Sequence, residues 1–238
     1  MKVHRFIIDS VLSPGVFDIR DPDLVHQIAD VLHLKEGERV ILGDGKGREA
    51  DGTIRAVGSK AVGVELGPVR ETASEPVRRV ILYAAIAKRE NFEWIAQKAT
   101  EVGVAEIAPL ITDRTVKLDV KRERLEKIIR EAAEQSGRGI VPTLHEPMSF
   151  KQAIAHAENN QRNFFFDVSG SAGDMSGDET AGVFIGPEGG WSEEERTAAK
   201  HAGFFIAGLG PLVLRAETAA VVASYLATSI ISPPSVSR

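Results

Sequence analysis

Cysteine is absent from this 238-residue chain. Its absence removes thiolate zinc sites, cysteine nucleophiles and disulfides, and fits a reducing compartment. Long hydrophobic runs are also missing. The longest uncharged stretch begins at Thr218, and its apolar part, Ala219 to Ile231, ends before Pro233 and Pro234; it falls short of the roughly 20 residues that cross a bilayer. The first ten residues mix Lys2, His4, Arg5 and Asp9 with their apolar neighbours, unlike a secretion signal. A cytoplasmic protein without a membrane span is expected.

A net basic charge is lacking as well: 29 Lys and Arg against 34 Asp and Glu leave a formal charge of -5. The acids are unevenly spread, however. Between Asp167 and Glu195 there are eight acids and no base, so the remainder carries 29 bases and 26 acids. A local basic surface for a polyanion therefore remains open, beside ordinary solubility. Hydrophobic residues at 43% and charged residues at 26% indicate a chain that buries a core rather than a disordered one.

Two patterns divide the chain. Residues 1 to about 70 read as short strands around one helix: a strand over Arg5–Ile8, a helix over Asp23–Leu34, a hairpin at Asp44-Gly45-Lys46-Gly47 and strands near Thr53–Val57 and Ala61–Leu66. A small barrel is expected, followed by a linker over Gly67–Pro76. From Arg79 on, strands alternate with helices, the signature of an α/β domain with a mainly parallel sheet. Strands are expected at Val80–Ala87, Glu106–Ile111, Asn163–Val168, Val183–Ile185 and Phe204–Leu209. Helices are expected at Phe92–Val102, Lys121–Gln135, from the Ser192/Glu195 capping box to before Gly203, and at Glu217–Thr228. The last is apolar nearly all round and should be buried. Ser169–Gly182 reads as a surface loop.

Two glycine and proline loops follow strands and lead into helices: Gly186-Pro187-Glu188-Gly189-Gly190 and Leu209-Gly210-Pro211-Leu212-Val213-Leu214-Arg215. Either alone is equally an ordinary tight turn. Together, at the ends of α/β strands, they suit a small ligand recognised largely by backbone. Neither is a Walker loop or the GxGxxG dinucleotide fingerprint. His4, His26 and His33 lack a metal-ligand pattern with nearby carboxylates, and no metal is expected.

Ile185 to Ser192 together with Leu209 to Ala219 resembles the RsmE family, the 16S ribosomal RNA uridine N3-methyltransferases of the SPOUT superfamily. Further matches are Lys88, the run Glu93–Gly103, Arg114 to Asp119 and Glu131 to Arg138. The resemblance implies a PUA-like β-barrel over residues 1–70 and an α/β methyltransferase domain with a trefoil knot over 77–238. It implies S-adenosyl-L-methionine held by Ile185, Gly186, Pro187, Glu188, Gly189 and Gly190, and by Leu209, Gly210, Leu212, Val213, Leu214 and Ala219. It also implies a homodimer through knot helices, and 16S rRNA or the assembled small subunit as substrate. Arg5, His33, Lys88, Arg114, Lys117 and Arg138 are the candidate RNA contacts. His33 and Leu212 stand where family members usually carry Arg, removing two fixed charges.

Uridine N3 is protonated at neutral pH, so methyl transfer requires a base or a cation that stabilises the uracil anion. Arg215 is the candidate for the second role. Glu217 is the candidate proton acceptor, or equally a carboxylate matched to a helix N-terminus. A catalytically impaired RNA-binding assembly factor of the same fold is the alternative.

Overall fold

The computed structural model describes residues 3–115, 120–171, 175 and 178–229. They form two compact units, Met1–Glu75 with Ala133–Val141, and Pro76–Ala132 with Pro142–Arg238.

The first unit holds five strands, β1 (His4–Ile7), β2 (Gly15–Ile19), β3 (Arg39–Gly43), β4 (Arg48–Val57) and β5 (Val62–Glu71), in the order β1-β3-β4-β5-β2. Only β1 and β3 run parallel. Among the described residues the hydrogen-bonded ladder thus runs from β1 to β2, the small sheet of the expected N-terminal domain. Helix α1 (Pro22–His26) begins at Asp21, whose carboxylate caps two backbone N–H groups, and continues as a π-helical turn over Gln27–Val31. Its Val25 and Ile28 join Phe6, Leu42, Ile54 and Val64 in one core. The hairpin between β3 and β4 needs Gly45 and Gly47, both with positive φ.

Three features differ from the sequence pattern. Strand β2 alternates weakly and was not expected. Strand β5 runs through Glu71, because Val69 and Arg70 pair with Ala50 and Glu49, so the linker is shorter than 67–76. Residues 133–141 return to the first unit, where Gly47 N–H meets the Gly139 carbonyl and Val141 N–H meets the Gly45 carbonyl, each at 3.0 Å.

The second unit contains β6 (Arg79–Ala85), α2 (Arg89–Glu101), β7 (Glu106–Ile111), α3 (Arg122–Ser136, its last turn in the first unit), β8 (Thr143–Leu144), β9 (Met148–Ser149) and α4 (Phe150–Ala157). It continues with β10 (Arg162–Ser171), β11 (Thr180–Ile185), α5 (Glu193–His201), β12 (Phe205–Ala207) and α6 (Ala216–Thr228). The strands are all parallel, in the order β12-β10-β11-β6-β7-β8, with β9 also on β7. Central β6 and β11 are apolar on both faces, as a sheet covered on both sides requires. Helix α2 buries Phe92, Ile95, Ala96 and Ala99 and stops at Gly103, φ +96°.

Strand β10 extends to Ser171 and β11 starts at Thr180, so both ends of the expected 169–182 loop are strand. Helix α4 had no counterpart in the sequence reading, although Ser149 and Gln152 form a complete capping box at its start.

After β12 at the sheet edge, the chain returns as α6 onto β6, β11 and α2. Ala220, Ala223, Ser224 and Ala227 form its buried side, small enough for close packing. Its other side exposes Val222, Tyr225 and Leu226 at 36%, 56% and 43%, so the expected complete burial does not hold for one chain.

At the crossing, backbone meets backbone. A Cβ on Gly170 would stand 2.3 Å from the Ala207 carbonyl, and Gly208 N–H donates to the Ser171 carbonyl at 2.9 Å. Gly170→Val should therefore cost at least about 1–3 kcal/mol by overpacking, read as a lowered urea midpoint.

Candidate active site

The cleft lies at the carboxyl ends of β10, β11 and β12, where open parallel sheets bind ligands. Its volume is about 540 Å³, within the range of roughly 300–1,000 Å³ usual for small-molecule sites.

One wall is the loop after β11. Trp191 is buried beneath it, stacked on Phe165 at 4.4 Å and near Phe150 at 5.3 Å, with its indole N–H donating to the Phe166 carbonyl at 2.9 Å. Gly186 lies over that indole so closely that a Cβ would come within 2.9 Å of it. Gly190, φ +69°, closes the turn by donating to the Pro187 carbonyl at 2.8 Å.

The loop then enters α5 through Ser192, which caps Glu195 N–H at 3.1 Å, while Glu195 Oε2 accepts from Ser192 N–H at 2.9 Å. The other oxygen of buried Glu195 accepts from Asp113 N–H at 3.0 Å, and Ser192 Oγ donates to Asp113 Oδ2 at 2.6 Å. The three residues pin the chain leaving β7 to the start of α5. Arg114, next to Asp113, donates to the Gly189 carbonyl.

The opposite wall is the loop after β12 and the first turn of α6. Ile185, Gly186, Pro187, Glu188 and Gly190 from the first loop face Leu209, Gly210, Leu212, Val213, Leu214 and Ala219 from the second, across one space. Gly189 is not among the lining residues; a Cβ there would touch only Arg114, at 3.5 Å. The positions that demand glycine on this loop are Gly186, for its approach to the indole, and Gly190, for its φ. Arg215 and Glu217 also line the cleft. Arg215 is the N-cap of α6, and neither side chain has a hydrogen-bond or ion-pair partner among the described residues.

Asp167 and Arg196 also line the cleft, and no local motif announced them. Arg196 Nε donates to Asp167 Oδ2 at 3.0 Å and its Nη1 to Glu193 at 2.8 Å. Burial of Asp167 opposes its charge, but the Ser169 hydroxyl and N–H and the Arg196 guanidinium outweigh it and hold the pKa below the usual carboxylate range.

The residues expected to touch RNA fare differently. In the first unit Arg5 is a half-buried partner of Glu49, which also pairs with Arg70 at 2.9 Å. Arg138 is buried, with Nη2 on Glu75 at 2.8 Å, while the other Glu75 oxygen accepts from Gly139 and Ile140 N–H, each at 3.0 Å. Both guanidinium groups are consumed inside the unit, so neither presents a free charge to phosphate. His33 is exposed and has φ 52°, the one positive φ of a non-glycine residue among those described; it ends the helix where glycine or asparagine is usual. Lys88 is exposed at the start of α2, and Arg114 is exposed beside the first loop. Lys117 lies outside the described residues.

Residues 73–228 match the model of an RNA methyltransferase domain, and residues 19–66 that of an RNA methyltransferase PUA domain. The ribosomal RNA small subunit methyltransferase E of Bacillus subtilis is 31% identical over 217 residues, covering 84% of both chains. The chain belongs to the ribosomal RNA small subunit methyltransferase E family. The methyltransferase E of Mycobacterium bovis is 30% identical over 94% of this chain and 90% of its own. Two solved structures resemble the methyltransferase E fold seen here over nearly its whole length. A Legionella pneumophila methyltransferase in complex with the cofactor SAM is 31% identical, with a TM-score of 0.86 over 95% of this chain and 97% of that one. Methyltransferase E of Neisseria gonorrhoeae, bound to S-adenosylmethionine, is 30% identical, with a TM-score of 0.85 over 94% and 95%.

The Asp167 carboxylate gives the methyltransferase E cleft a pH signature. Because its folded pKa is depressed, its contribution to stability is complete above the unfolded pKa of about 4 and disappears as pH falls through the lower folded value. Asp167→Asn should thus be less stable than the parent by about 1–2 kcal/mol at pH 7. Urea unfolding repeated from pH 7 to pH 3 should show the difference shrinking.

Proposed function

We propose that the protein transfers the methyl group of S-adenosylmethionine to N3 of a uridine in 16S rRNA of the small ribosomal subunit. The observation that carries the reading is the single cleft formed by the two glycine loops. It is joined by the two similar structures with S-adenosylmethionine bound and by relatives named as small-subunit rRNA methyltransferases. The cleft fits such a ligand: Gly186 leaves the backbone bare, Leu209, Val213 and Leu214 offer apolar surface, and Glu188 and Asp167 offer acceptors.

When bound, S-adenosylmethionine supplies an electrophilic methyl on a sulfonium. The chain's task is then to hold the uracil in line and to take charge off N3. Arg215 at the mouth of α6 provides a fixed cation and adds to the partial positive charge of the helix N-terminus, which together favour a uracil anion. Glu217, half-buried in the first turn, is the nearby proton acceptor. N3 lies on the pairing edge, so the target uridine is unpaired or extruded. Lys88, Arg114 and His33 are the exposed candidates for RNA contact, and an rRNA substrate implies a cytoplasmic protein.

A homodimer belongs to the same reading. Val222, Tyr225 and Leu226 on α6 and Trp94 on α2 are large apolar side chains exposed on two helices that pack together. Light scattering should report a dimer, and Tyr225→Asp should shift it towards monomer; a monomeric parent with full activity would defeat the assignment.

Labelled S-adenosylmethionine incubated with small subunits lacking the modification, followed by nucleoside mass analysis, tests the reaction. Product at uridine N3 is expected. Methylation at carbon 5 or on the ribose would refute the position, and no transfer would favour an assembly factor. Arg215→Ala should lower kcat by about 10²-fold or more while changing RNA affinity little, since it acts on charge that develops in the transition state.

A further inference from the structure

Away from the cleft, Glu106, His145 and His156 bring three metal-ligating side chains together from separate elements. Glu106 opens β7, His145 follows β8 and His156 lies in the last turn of α4. One donor atom from each lies within 4.8 Å of the others. Glu106 Oε2 meets His145 Nε2 at 2.6 Å, and the two imidazole rings stand 4.9 Å apart, edge to face. His156 Nδ1 meets the hydroxyl of buried Tyr83 at 2.7 Å, and its Nε2 has no hydrogen-bond partner among the described residues.

From this arrangement we propose that Glu106, His145 and His156 form a zinc site, with water as the fourth ligand. Two imidazole nitrogens and one carboxylate oxygen are a donor set for Zn²⁺ rather than for Mg²⁺ or Ca²⁺, which take oxygen. Both rings are ready to ligate as neutral imidazoles. Burial lowers the pKa of each, and so do Arg79 with Arg122 for His145, and His145 with Arg79 for His156. The Tyr83 hydroxyl fixes the orientation of His156, and Arg79 holds the second oxygen of Glu106, the outer partners that ligands of a bound metal carry. The Arg79 charge also opposes a dication and weakens its binding. The metal takes the place of the proton between His145 Nε2 and Glu106 Oε2, and the neutral ring carries its proton on Nδ1 instead. Its bonds of about 2.0–2.2 Å draw the three side chains inward and fasten α4 to β7 and to the chain leaving β8. Glu106 starts its strand, whereas the cleft lies at strand ends, so the metal takes no part in the methyl transfer and the proposal is independent of the reaction assigned above.

The full chain, freed of metal with a chelator, is titrated with zinc sulfate alone by calorimetry and followed by thermal unfolding. Binding of one equivalent and a rise in Tm are expected. His145→Gln and His156→Gln should each weaken binding by at least about tenfold, while His26→Ala should bind like the parent. Cobalt(II) should give the visible bands of a four-coordinate site in the parent and lose them in both variants. Should the variants not fold, imidazole ¹H–¹⁵N spectra of the parent decide, because zinc must shift His145 and His156 selectively. No uptake at a hundredfold excess of zinc, undiminished uptake in folded variants, or shifts confined to other histidines would overturn the proposal.

Discussion

The contact between Gly186 and the buried indole of Trp191 is the constraint from which the cleft follows. The indole is held by aromatic neighbours and by the Phe166 carbonyl in the middle of β10, so it cannot move aside. The chain leaving β11 therefore lies flat across a ring, and only glycine permits that approach. From this seat the turn through Gly190 and the Ser192 cap aims α5, and Glu195 ties the same turn to Asp113 at the end of β7. One wall of the cleft is thus built on the aromatic core of the sheet.

The other wall is held differently. Between β12 and α6 the chain relies on backbone proximity at Gly170, Ala207 and Gly208, and then exposes Leu212 and Val213. A well-packed wall facing a less anchored one suits a ligand that must enter and leave. The arrangement also separates two tasks: backbone and apolar surface line most of the space, while the charges of Arg215 and Glu217, unpaired among the described residues, stand at the start of α6.

Much of this was legible in sequence because it is local. Glycine-rich turns after strands, a Ser-x-x-Glu cap and 3.6-residue periodicity each need only a short window, and they located the two loops, α2, α3, α5 and α6. The failures were non-local. Arg5 and Arg138 read as free basic residues until Glu49 and Glu75 came beside them, the first 44 positions away and the second 63. Asp167 and Arg196 became lining residues through a pairing 29 positions apart. Gly186 and Gly189 looked equivalent, and only the indole under one of them separates them. Helix α4 was a different kind of miss, since its capping box was in plain view.

The return of residues 133–141 to the first unit bears on how the chain emerges during synthesis. Glu75 finds its Arg138 and backbone partners, and the turn at Gly45–Gly47 its second strand-like neighbour, only after more than sixty further residues have been made. The amino-terminal unit is therefore not closed when its own five strands have left the ribosome. It waits for a late segment, and its completion is timed by the growth of the second unit rather than by its own length.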